Sequence, residues 1–189
     1  MQTRKEALIE SIVTYLLEHG LADLSLRPLA AATGTSARLL IYHFESKEGL
    51  LTEVLETMQT QLRQSFSRLL ERQSGDRQSQ LQLKLLWRWA IAERNYPRLK
   101  LLYELQILAI QNPAAYAQYL QRNATHWSEL ILVMLPAPTR DPGFATLCGA
   151  IFDGLFLEYM STGDRKRTTQ AIDRFIHIVG DTSGHPADA

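Results

Sequence analysis

The chain has 189 residues, 46% apolar and 21% charged, with twenty Lys and Arg balancing twenty Asp and Glu. That length suffices for one large domain or two small ones with a buried core, and the composition excludes wholesale disorder. The single cysteine, Cys148, excludes an internal disulfide and the cysteine-rich zinc motifs, and the balanced charge means that any affinity for nucleic acid must come from a local surface.

The first residues lead into an amphipathic pattern rather than a signal-peptide core, and no apolar run approaches the roughly 18 to 20 residues of a membrane span. The expectation is a soluble, cytoplasmic protein. Over residues 4 to 19, Leu8, Ile9, Ile12, Val13, Leu16 and Leu17 recur at helical spacing, with Thr3 and Glu6 as a capping box and Gly20 as the stop. A shorter helix is predicted from Ser25 to Gly34, with Pro28 in its first turn, where the missing N–H is tolerated. A third, over about 36 to 44, starts at Ser36 and ends in Tyr42-His43-Phe44. Ser46 caps a long fourth helix that reaches Arg72 and frays near Ser74-Gly75-Asp76.

Further helices are expected at about 78 to 95, 97 to 111 and 113 to 135, punctuated by Asn95-Tyr96-Pro97 and Asn112-Pro113. A loop runs from Pro136 to Pro142, two helices follow over about 143 to 162 and 165 to 180, and the tail from Asp181 is polar. No segment alternates with period two. The chain is therefore predicted to be all-α with about nine helices: three short ones, a long connector and a bundle. The boundaries expected are 1 to 47, 48 to 180 and a flexible tail over 181 to 189.

Two short helices joined by a glycine turn form a helix-turn-helix arrangement. Leu26, Leu29 and Ala30 face inward from its first helix, while Leu40 and Phe44 anchor its second. Ala37, Arg38, Ile41 and Tyr42 then face outward or flank that anchor, and Leu39 fits either side. No Asp or Glu occurs between residues 24 and 44, where Arg27, Arg38 and His43 supply a modest cationic footprint.

The stretch SLRPLAAATGTSARLLIYHFESKEGLL, Ser25 to Leu51, resembles the DNA-binding signature of the TetR family of transcriptional regulators. The matching positions are Ser25, Leu29, Ala30, Gly34, Ser36, Leu40, Tyr42, His43, Phe44, Ser46, Lys47 and Leu50. Departures are Thr35 where Val is common, Pro28 for an acidic cap residue, Arg38 and Leu39 for small residues, and Ile41 where a phosphate-contacting Tyr is frequent. The resemblance implies DNA contact by Arg27, Thr35, Ser36, Ala37, Arg38, Leu39, Tyr42, His43 and Lys47. Arg38 is expected to read a base edge, while Tyr42, His43 and Lys47 grip phosphates. It further implies a homodimer on a palindromic operator, most simply a repressor, released by a small effector.

The C-terminal half is rich in aromatics. Trp87, Tyr103, Trp127, Phe152, Phe156 and Tyr159 are the candidate walls of a pocket for a largely apolar ligand, with Glu104, Gln106, His126, Asp153 and Glu158 available to orient it. Each aromatic is equally a core residue by composition. Ala150, Leu157, Ile172, Ile176 and Val179 on the last two helices are the candidate dimer surface, unless those faces pack inward. The five histidines lack metal or catalytic spacing, Asp173 and His177 read as a surface pair, and Cys148 sits in small apolar surroundings as a packing residue. No enzyme, cofactor or metal site is expected. The alternative is a helical binding or scaffold protein without DNA activity.

Overall fold

The computed structural model describes residues 4–72, 79–135 and 140–182. Its nine described helices are α1 (Arg4–His19), α2 (Leu26–Ala32), α3 (Ala37–Phe44), α4 (Lys47–Arg72), α5 (Ser79–Ala90), α6 (Tyr96–Gln111), α7 (Ala117–Met134), α8 (Pro142–Thr162) and α9 (Arg165–Thr182). No strand occurs among the described residues, so the all-α expectation holds. Thr3, Ser74-Gly75-Asp76, Pro136 to Thr139 and residues 183 to 189 lie outside the description. Two boundaries move. Helix α5 ends at Ala90 and not near 95, and α7 starts at Ala117 after a turn over 113 to 116. Asn112 closes α6 by donating its N–H to Leu108 O at 3.1 Å, and Pro113 follows as the break.

The chain forms two compact units, residues 1–65 with 93–121, and residues 66–92 with 122–189. In the first, α1 packs on α2 and on α6, and α2 packs on α3. Its apolar stripe is the one the 3.6-residue period dictates: Ile9, Ile12, Val13 and Leu16 of α1 are all buried. In the second unit, α9 packs on α5 and on α8. Trp87 Nε1 donates to Thr169 Oγ1 at 3.0 Å, and Lys84 pairs with Asp173 at 2.8 Å, so the partner seen for Asp173 is a lysine of α5.

Helix α8 departs from expectation. Its 21 residues are long and apolar enough, by length and composition alone, to cross a membrane, although only a minority of them are buried within the chain. Asp141 caps it by accepting from the N–H groups of Gly143 and Phe144, and Gly163 ends it with φ of 68°.

The junction of α3 and α4 is tight. Glu45 adopts φ 66° and ψ −43°, and Ser46 N–H donates to Phe44 O at 2.7 Å, a γ-turn of the rare positive-φ kind. Ser46 Oγ accepts from Gly49 N–H at 2.9 Å and so starts α4. A Cβ on Gly49 would lie 2.2 Å from the Phe44 carbonyl oxygen. Glycine inside a helix ordinarily weakens it by about 1 kcal/mol relative to alanine; here the clash reverses the sign. Gly49→Ala is expected to destabilise the protein by about 1–3 kcal/mol in urea denaturation, and a gain in stability would show that the junction is not held this closely.

Candidate nucleic-acid interface

Helix α2 ends in a Schellman motif. Thr35 N–H reaches Ala30 O at 2.9 Å, Gly34 N–H reaches Ala31 O at 3.4 Å, and Gly34 takes φ of 66°. The chain thereby reverses in four residues, and Ser36 begins α3 by accepting from Leu39 N–H at 3.2 Å. Eight residues are too few for a helix to persist alone in water. Leu40 and Phe44, both buried, hold α3 down, each worth roughly 1.5–3 kcal/mol of apolar burial. Lys5 of α1 adds a polar tie: its ammonium lies 2.6 Å from Glu53 of α4 and 5.2 Å from the centre of the Phe44 ring. Both charges are partly exposed, so this tie is worth no more than about 1 kcal/mol.

With Leu40 and Phe44 inward, the helical repeat turns Arg38, Leu39 and Tyr42 outward, with Tyr42 78% exposed. Ile41 flanks this face and is also exposed, while Ala37 and His43 are half-buried. The His43 ring packs edge-on against those of Tyr42 and Phe44. Arg27, on α2, is exposed, and Lys47 stands half-buried at the first position of α4. Arg27, Arg38 and Lys47 make no ion pair among the described residues. A cation at a helix N-terminus opposes the helix dipole, so Lys47 sits where an incoming anion would relieve the repulsion.

One expected contact needs correction. The Thr35 hydroxyl is buried and has no hydrogen-bond partner among the described residues, so it faces inward and not toward a ligand. Ser36 remains exposed and keeps a hydroxyl proton to donate.

The other candidate residues divide. Ile172, Ile176 and Val179 are buried within their own chain, which removes them from the expected dimer surface: α9 turns its apolar stripe onto α5 and α8. Ala150 and Leu157 are exposed. Sequence reasoning missed Leu147 and Ile178, whose exposure of 52% and 54% adds to the same outer faces of α8 and α9. Among the aromatics, Trp87, Phe152 and Phe156 are buried in the second unit, with Trp87 and Phe152 in edge contact at 6.2 Å. Trp127 and Tyr159 are half-buried there, and Tyr103 belongs to α6 of the first unit. Trp89, absent from the candidate set, connects Phe66 at 5.2 Å with Trp127 at 6.4 Å. Glu158 is engaged by Arg167, and Cys148 is fully buried, its thiol pushed up to about 11 by that burial. It stays protonated and serves as packing. Among the described residues no three His, Cys, Asp or Glu stand together as metal ligands would.

This arrangement defines the class: a helix-turn-helix protein whose second helix offers a cationic, acid-free outward face. Residues 5–54 match the family model described as bacterial regulatory proteins, tetR family. A protein described as a TetR-family regulator from Rhodococcus sp. superposes with a TM-score of 0.76 at 22% identity, over 95% of this chain and 99% of that one. A TetR-family member from Streptomyces coelicolor A3 gives 0.64 at 25% identity, over 90% and 96%. The multidrug binding protein EbrR complexed with ethidium gives 0.65 at 24% identity, over 91% and 98%. No curated protein sequence matches the chain. Residues 5–54 thus match the TetR-family model, and the chain shares its all-α fold with solved regulators of that family.

Proposed function

We propose that the protein is a homodimeric repressor that reads a palindromic operator with α3 and leaves it when a small, largely apolar ligand binds. The observation that carries the DNA half of this reading is the outward face of α3, where Arg38 and Tyr42 stand opposite the buried Leu40 and Phe44 without ionic partners among the described residues. Arg38 is the base reader, because its planar fork matches the acceptor edge of guanine in the major groove. Lys47, Tyr42, His43 and Ser36 hold phosphates and fix register, with Arg27 a further backbone contact from α2.

A single eight-residue reading helix offers few base contacts, which is why helix-turn-helix proteins bind paired half-sites about 34 Å apart. The dimer surface is proposed on the outer faces of α8 and α9. Leu147, Ala150, Gly154 and Leu157 of α8 are all exposed, and their 3-4-3 spacing is the same read in either direction. Two copies crossing antiparallel about a two-fold axis would place the small residues centrally and the leucines at the ends.

The effector half rests on the second unit. Trp127 and Tyr159 keep part of their surface open there, Trp127 beside the buried Trp89. EbrR, one of the structural neighbours, is a multidrug binding protein seen with ethidium and proflavin, which supports an aromatic ligand here. Such a ligand must bind the operator-incompetent state more tightly, because equal affinity shifts nothing.

Three measurements test this reading. In fluorescence-anisotropy titrations, Arg38→Ala should cost about 1–3 kcal/mol and relax preference at one position per half-site. Lys47→Ala should weaken all duplexes alike and reduce the salt slope by about one phosphate; an Arg38→Ala protein with unaltered sequence preference would remove the base-reading role. In light scattering at micromolar concentration, the wild type should have the mass of a dimer and Leu157→Glu that of a monomer. A wild-type monomer would end the assembly proposal. Apolar aromatic compounds that do not intercalate into DNA, screened first by thermal shift, should weaken operator binding wherever they stabilise the protein, whereas stabilisation with no loss of DNA affinity would leave the signal to come from elsewhere.

A further inference from the structure

The apolar surface of α3 is larger than docking the helix requires. Among the described residues nine large hydrophobic side chains are exposed, and Leu39, Ile41 and Tyr42 put three of them on one eight-residue helix. Single exposed hydrophobics are ordinary on a protein surface, but a concentration of them marks a contact. Their directions differ. Taking the inner face as the line between Leu40 and Phe44, a repeat of about 100° per residue puts Tyr42 directly opposite. Arg38 then lies about 40° to one side of it and Leu39 about 60° to the other, with Ile41 further round. Leu39 is also in the first turn, the part of a recognition helix that meets base edges. Its backbone is fixed there, because the Leu39 N–H is the group capped by Ser36 Oγ.

In the major groove the edges of the base pairs are hydrogen-bonding groups, with one apolar exception, the C5-methyl of thymine. A leucine facing those edges cannot satisfy a donor or an acceptor and leaves it desolvated at a cost. It gains by covering a methyl. We infer that Leu39 reads a thymine methyl group in each operator half-site, while Ile41 lies to the side of the base edges. This rests on the proposed reading of α3 as the recognition helix and adds the chemistry of one base to it.

The test begins with the full-length protein and a random-sequence duplex library, from which the preferred duplex is selected. Each thymine of that duplex is then replaced singly by deoxyuridine, which removes the methyl and keeps every hydrogen-bonding group. One thymine per half-site should show about a fourfold loss of affinity on replacement, the size expected for one methyl group taken from water. In Leu39→Ala that dependence should vanish, so that thymine and deoxyuridine duplexes bind equally, while Ile41→Ala should retain it. Leu39 is 36% exposed, so its truncation should lower the thermal midpoint slightly, and the comparison of the two duplexes, internal to each variant, removes that effect. The inference is overturned if no deoxyuridine replacement weakens binding, if Leu39→Ala keeps the fourfold dependence, or if Ile41→Ala alone removes it. A library from which no sequence is enriched would instead overturn the DNA-reading function itself, and this inference with it.

Discussion

The outward surface of α3 depends on the burial of Leu40 and Phe44. A helix of eight residues has no independent stability, so α3 exists as a helix only while those two side chains remain in the core of the first unit. Everything offered outward follows from that anchor through the helical repeat. The same anchor ties α3 to α4, because Phe44 supplies the carbonyl that receives Ser46 N–H, the oxygen that excludes a side chain at Gly49, and the ring over which Lys5 sits. The Glu45 γ-turn is strained, and a strained link of one residue leaves little freedom between the two helices. A rotation of the first turn of α4 is therefore passed to α3 and not absorbed at the junction.

In the sequence, the long fourth helix is the connector between the short N-terminal helices and the bundle. The structure adds α6, which packs on α1 in the same compact unit as the reading head. The carboxylate of Glu104, on α6, lies 3.6 Å from where a Cβ of Gly20 would stand, at the end of α1. The sequence boundary at residue 47 and the compact units thus describe different things. The first marks where the DNA-binding signature ends, and the second shows which helices share a core.

The helix-turn-helix was legible because each of its requirements is local. Gly34 is demanded by a positive φ, Ser36 and Ser46 by N–H groups at helix starts, and Leu40 and Phe44 by a spacing of four. Local rules of this kind need no knowledge of the neighbours. Thr35 shows the limit. A hydroxyl beside a helix N-terminus is a reasonable ligand contact by type, yet type does not say which way it turns, and here it turns inward. Ile172, Ile176 and Val179 failed for a related reason. Their period shows that α9 has one apolar face, but a period cannot say whether that face meets its own chain or a second copy, and α5 with α8 claims it first.

Helix α8 carries the complementary lesson. Its apolar residues run all round, and a helix apolar all round must find more than one neighbour. Ala145, Cys148, Phe152 and Phe156 meet the first requirement by packing inside the second unit. Leu147, Ala150 and Leu157 remain in water on the other side. The property that lets α8 pass for a membrane span by length and composition is thus what a helix with two apolar faces shows when only one of them is covered. Asp153, exposed between Ala150 and Gly154, puts a carboxylate on this side of the helix, which suits a contact with protein and water better than one with hydrocarbon, where a charge is costly. The direction of inference matters here. Composition alone could not separate lipid from protein as the missing neighbour, whereas the position of one carboxylate within the exposed face favours protein.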